Sequence, residues 1–219
     1  MRKSLIWINL IIAMGASGFT NAKEEYPLHI AAANDDIQLI KRILSQKTLI
    51  DERDETGSTA LMVATKANNI HAAYVLIEAG ADVNAKDNMK DSPYLYAGAQ
   101  GYLKILRMTL MHDADLKSTN RYGGTALIPA SERGYVETVR TLIAAGVNVN
   151  HVNNLGWTAL LEAIMLGNGT SNYQHIVALL LKAGANPNLA DRDGISPLQH
   201  ARTRGYREIE KLLLSAGAK

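Results

Sequence analysis

The amino-acid sequence repeats itself. Aligning Tyr26-Pro27-Leu28-His29, Thr59-Ala60-Leu61-Met62, Ser92-Pro93-Tyr94-Leu95, Thr125-Ala126-Leu127-Ile128, Thr158-Ala159-Leu160-Leu161 and Ser196-Pro197-Leu198-Gln199 gives four spacings of 33 residues and a last one of 38. A second marker runs in phase: Ala79-Gly80-Ala81-Asp82-Val83-Asn84, Ala145-Gly146-Val147-Asn148-Val149-Asn150, Ala183-Gly184-Ala185-Asn186-Pro187-Asn188 and a truncated Ala216-Gly217-Ala218. A unit of this size is too small to bury its own apolar face, so six copies must stack, each stabilising its neighbours.

Each unit reads as two helices. From the second copy onward it opens on Ser or Thr, the residues that cap a helix N-terminus, and Pro follows in the third and sixth copies. After a break such as Asn68-Asn69 or Arg133-Gly134, apolar residues return three to four apart, at Ile70, Ala73, Tyr74 and Ile77 and at Val136, Val139, Leu142 and Ile143. That spacing predicts a second helix with one buried stripe. Glycine at 80, 146, 184 and 217 suits the left-handed residue that ends it. Lys47 and Asp113 stand at that place in the first and third copies. Arg207, Glu208, Glu210 and Lys211 give the last helix the solvated outer face that a terminal repeat needs.

The two markers and their period resemble the ankyrin repeat, with its T-P-L-H-x-A start and G-A-D-V-N turn, over residues 26–219. The resemblance implies an all-α solenoid of six helix-turn-helix repeats joined by loops or β-hairpin tips, near 26–53, 54–86, 87–119, 120–152, 153–190 and 191–219. It also implies that His29 has a structural role, bonding the turn. Partners of such proteins meet the concave side, formed by the tips and the first helices. On that side this chain gathers Tyr122, Leu155, Trp157, Met165, Leu166 and Ile195 in the fourth to sixth copies, flanked by Arg121, Arg133, Arg192 and Arg204. Trp, Tyr and Arg are enriched at interface hot spots, and an exposed apolar patch marks a partner site. Trp157→Ala is expected to weaken partner binding by about 2 kcal/mol or more while barely moving the melting temperature. The competing reading has Trp157 folded over its own tip as a packing residue, with Met165 and Leu166 filling space.

Five extra residues, Asn168-Gly169-Thr170-Ser171-Asn172, separate the helices of the fifth copy. All are turn formers, and a loop there could serve binding or be neutral.

Ahead of the repeats, Met1-Arg2-Lys3 is followed by a short apolar run, Ser4 to Ala16, and by Thr20 and Ala22 as a small-x-small pair. This is the pattern of a signal peptide cleaved after Ala22. The run is too short for a membrane span, which needs about 20 predominantly apolar residues. Residues 23–219 are then one exported, periplasmic or secreted domain. Without Arg2 and Lys3 the chain carries 21 basic and 21 acidic residues, and a neutral balance lacks the footprint of a nucleic-acid or anionic-membrane binder. In its exported single-module form the chain resembles ankyrin proteins of the Gram-negative periplasm, some of which support a catalase while others neutralise a toxin.

No catalytic constellation is visible. There is no cysteine, no G-x-S-x-G and no P-loop, and the six histidines never recur at helical i, i+4 spacing with a carboxylate. The expectation is a monomeric, cofactor-free, metal-free, non-enzymatic module that binds one protein partner. Two other readings are a secreted effector acting on a host protein, and a small-ligand carrier or enzyme using a pocket beside Trp157, with Arg133 and Glu132 as its charged pair.

Overall fold

The computed structural model describes residues 26–219; the expected leader lies outside the described residues. Among those described, twelve helices and no strand are found. They form six pairs: α1 (Pro27–Ala33) with α2 (Ile37–Leu44), α3 (Ala60–Lys66) with α4 (Ile70–Glu78), α5 (Pro93–Gln100) with α6 (Leu103–Met111), α7 (Leu127–Glu132) with α8 (Val136–Ala145), α9 (Ala159–Met165) with α10 (Ser171–Lys182), and α11 (Pro197–Thr203) with α12 (Arg207–Ser215). Odd-numbered helices stack on one another in sequence, as do the even-numbered, giving two layers with the core between them.

Local chemistry sets these elements. Thr59, Ser92, Thr158 and Ser196 accept a hydrogen bond from the backbone N–H three residues on, and Ser196 completes a reciprocal pair with Gln199. Thr125 differs. Pro129 lacks the N–H that would bond the Thr125 carbonyl four residues back. Ile128 N–H donates to that carbonyl instead, the helix opens one residue later, and Thr125 Oγ1 is buried without a partner. Lys47 and Asp113 adopt φ of 58° and 55°, the left-handed conformation that the register demands there.

The core repeats with the sequence. Leu61, Leu76, Leu106, Leu127, Leu142 and Leu160 are sealed from solvent, and small residues let the inner layer close up: a Cβ on Gly98 would lie 2.8 Å from that of Ala126. His29 Nε2 donates to the Ser58 carbonyl at 2.9 Å, tying the first repeat to the next tip. On α12, Ile209 and Leu213 face inward while Arg207, Glu208 and Lys211 are exposed.

The extra segment of the fifth repeat is less of a loop than its composition predicts. Ser171 and Asn172 enter α10, which runs to 12 residues. Gly169, at φ 71°, lies under the Tyr206 ring, and Tyr206 Oη donates to the Gly167 carbonyl at 2.9 Å. The segment is thereby fastened to the sixth repeat.

Candidate functional site

Each tip is built around one Asp or Asn that accepts two backbone N–H bonds, from the residues two and four positions on. Asn120 Oδ1 receives Tyr122 and Gly124 at 2.9 and 3.0 Å, and Asn153 Oδ1 receives Leu155 and Trp157 at 2.9 and 3.0 Å. Gly156, at φ 85°, makes the intervening left-handed step. Neighbouring tips are bonded too, Asn154 N–H donating to the Tyr122 carbonyl at 2.9 Å. Side chains at these positions are held by a rigid frame, which suits a recognition surface.

Between the tips and the inner helices of repeats three to five lies a groove of about 480 Å³. Of the residues expected at a docking face, Arg121, Tyr122, Arg133, Leu155, Trp157 and Leu166 line it. Tyr122, Leu155 and Leu166 are about half exposed, whereas Trp157 is the most covered of the four. Such cover is what the competing reading of Trp157 as a packing residue expects, and truncating the ring would then carry a stability cost as well. Arg121 stacks over the Tyr122 ring at 4.8 Å.

Met165, Arg192, Ile195 and Arg204 fall outside the groove. Arg204 donates through Nε and Nη2 to the Met165 carbonyl at 3.3 and 2.8 Å, and Arg192 donates to the Asn154 carbonyl while its stem lies against Gly156. Both arginines staple the sixth repeat to carbonyls of the fifth. Arg133 does the same between the fourth and third repeats, Nη1 donating to the Ala99 carbonyl at 2.7 Å. Among the described residues no ion pair joins it to Glu132, although both side chains line the groove with Trp157. Ile195 is exposed at its own tip, beyond the end of the groove.

Sequence reasoning missed the polar floor. Lys66 Nζ lies 2.7 Å from Asp87 Oδ2, whose side chain is only 1% exposed. Glu162, on α9, is 4% exposed and opens on the groove; its Oε1 accepts a hydrogen bond from Asn153 Nδ2 at 3.0 Å. Burial, reinforced by the charge of Glu132, pushes its carboxyl up to about 7 against the Asn153 bond that opposes it. The corresponding residue in the other repeats is Ile30, Val63, Tyr96, Pro129 or His200, so a carboxylate at that register was the signal to notice. Among the described residues no group of three or more His, Asp or Glu side chains could hold a metal ion, and no helix is long and apolar enough to cross a membrane.

Comparison with known proteins agrees with this architecture. The family model for ankyrin repeats matches residues 4–87 and 94–191. The chain is 41% identical over 190 residues to the putative ankyrin repeat protein YahD of Escherichia coli K12, covering 86% of this chain and 94% of that one. The crystal structure of an ankyrin repeat domain from Acinetobacter baumannii AYE is 91% identical, with a TM-score of 0.89 over 90% of this chain and all of that one. A second solved structure, of the ankyrin repeat protein EF0377, is 42% identical with a TM-score of 0.83, covering 88% and 98% of the two chains. Ankyrin repeats are generally protein–protein interaction modules, and the fold is a typical non-enzymatic scaffold. The 33-residue period, the paired helices in two layers and these relatives agree: the chain belongs to the ankyrin repeat family.

Proposed function

We propose that this protein is an exported, monomeric, non-catalytic module that docks one partner protein in the groove along repeats three to five. The observation that carries the reading is the convergence of Tyr122, Leu155, Trp157 and Leu166, with Met89, on one groove built from rigid tips. The matching tip of the second repeat offers only Thr56 and Ser58. Large apolar groups on a rigid frame lose little entropy on binding and bury area efficiently. Export to the periplasm or medium is supported by the pattern from Met1 to Ala22, and N-terminal sequencing of the mature protein should begin at Lys23. Support of a catalase, or neutralisation of a toxin, are the roles suggested by the exported ankyrin proteins it resembles.

Affinity capture from periplasmic extract tests the docking surface, using wild type, Trp157→Ala and Arg204→Ala as baits. Wild type and Arg204→Ala should retain the same protein, and Trp157→Ala should bind it about 30-fold more weakly, the equivalent of roughly 2 kcal/mol. Equal retention by all three baits would overturn the assignment. A small-ligand or enzymatic role has one observation in its favour, the Glu162 carboxyl that takes up a proton near neutrality beside Trp157. Turnover or small-molecule binding by the purified protein, abolished in Trp157→Ala, would establish that role instead.

A further inference from the structure

Repeats three and six place a nitrogen of the rod on the carboxylate at their own tip, a lysine in one and a histidine in the other. Lys66 Nζ lies 2.7 Å from Asp87 Oδ2, and His200 Nε2 lies 2.7 Å from Asp191 Oδ2. The fifth repeat is arranged differently. Its tip residue is the neutral Asn153, and nine residues further on, where the sixth repeat has His200, stands Glu162.

Glu162 is almost entirely buried, opens on the groove, and receives one neutral hydrogen bond, from Asn153. Among the described residues it makes no ion pair. The charge that acts on it most, from Glu132 on α7, has the same sign. Both arginines of the groove are engaged elsewhere, Arg133 on the Ala99 carbonyl and Arg121 over the Tyr122 ring. Asp91 also lines the groove without an ion pair; burial and then Asp87 raise its carboxyl, against the opposing charges of Arg121, Lys66 and Lys86. The groove thus holds three carboxyl groups for which the rod supplies no cation in contact.

Keeping a carboxylate out of water without a counter-charge is costly, and a cation brought by a ligand removes that cost through charge-assisted hydrogen bonds. The same groove offers Trp157 and Leu166 to an aliphatic stem, and lysine and arginine carry a charged head on such a stem. A guanidinium can also stack on an indole face. We propose that the groove receives a lysine or arginine side chain projecting from the partner protein, its cationic head meeting Glu162 and Glu132 and its stem lying along Trp157. The proposal rests on the reading of the groove as the partner site. It describes the partner's contacting segment as basic, and it disfavours acidic segments, which would add a further negative group.

The test titrates three tripeptides, N-acetyl-Gly-X-Gly-amide with X as arginine, norleucine or glutamate, into the full chain at about pH 8, where Glu162 is mostly ionised. Calorimetry or chemical-shift perturbation reads the affinities. The arginine peptide should bind about fivefold more tightly than norleucine, and glutamate more weakly than either. In Glu162→Gln and in Glu132→Gln, each verified as folded by circular dichroism, the arginine preference should fall below about twofold. Absence of saturable arginine binding, equal affinity for arginine and norleucine, or a preference unchanged in both variants would each overturn the proposal. A partner captured through Trp157 despite such a result would leave the docking reading intact and remove only this inference.

Discussion

Replacing Glu162 by Gln should make the protein more stable in alkaline solution and leave it unchanged in acid. Burial and the neighbouring Glu132 raise the carboxyl from 4.5, its value in the unfolded chain, to about 7 in the folded one. A group with a raised folded-state value favours the native state below its unfolded value, and that contribution is lost as pH climbs through the folded one. Wild type should therefore lose stability across pH 4.5 to about 7, by up to about 3 kcal/mol at 1.36 kcal/mol per unit. Glutamine keeps an acceptor for Asn153 Nδ2 and carries no charge, so the variant should lack this component. Chemical denaturation of both proteins over about pH 4 to 8, followed by circular dichroism, isolates it as the difference between the two curves. The variant should gain about 2 to 3 kcal/mol at the alkaline end and nothing at the acid end. A difference independent of pH, or a variant less stable at the alkaline end, would refute the placement of Glu162 as a desolvated carboxyl without a cation.

Trp157→Ala should cost about 1 to 2 kcal/mol of stability in denaturant titration, because the ring is partly covered by the rod. A cost above about 4 kcal/mol would identify it as a packing residue instead. Gly169→Ala should destabilise by about 1 to 3 kcal/mol, since the left-handed backbone disfavours a Cβ and the added atom would lie 2.6 Å from the Tyr206 ring. Gly194→Ala, with a similar φ and open space around it, should cost only about 1 kcal/mol, and equal losses would disprove the fastening of the extra segment. Lys66→Met should cost about 1 to 3 kcal/mol by stranding the buried Asp87 carboxylate, and adding Asp87→Asn should recover part of that loss; no recovery would refute the pairing.

The period, the caps and the glycine stops make the stacked helix pairs readable in the sequence, because each is a local rule repeated in register. Pro129 shows where a local rule gives way: Thr125 looks like a cap, yet the missing N–H four residues on rewinds the turn. Ser171 and Asn172 are turn formers that also tolerate a first helical turn, and the Tyr206 ring over Gly169, in the next repeat, accompanies that choice. The arginines mislead for a related reason. Arg133, Arg192 and Arg204 bond carbonyls 34, 38 and 39 residues earlier, and such inter-repeat contacts are invisible within one copy. Tyr122, Leu155 and Trp157 could be placed at the tips because the Asx turn fixes them locally. Glu162 escaped because its burial is a property of the stack, whereas its residue type alone suggests a solvated helix face.

Hydrogen–deuterium exchange of the protein alone and saturated with its captured partner is the most direct test of where that partner sits. Slowed exchange at the amides of 120–124, 153–157 and 162–166, with the outer surfaces of α4, α8 and α12 unchanged, is the predicted footprint. Protection confined to the even-numbered helices, with the groove exchanging as in the free chain, would contradict the account.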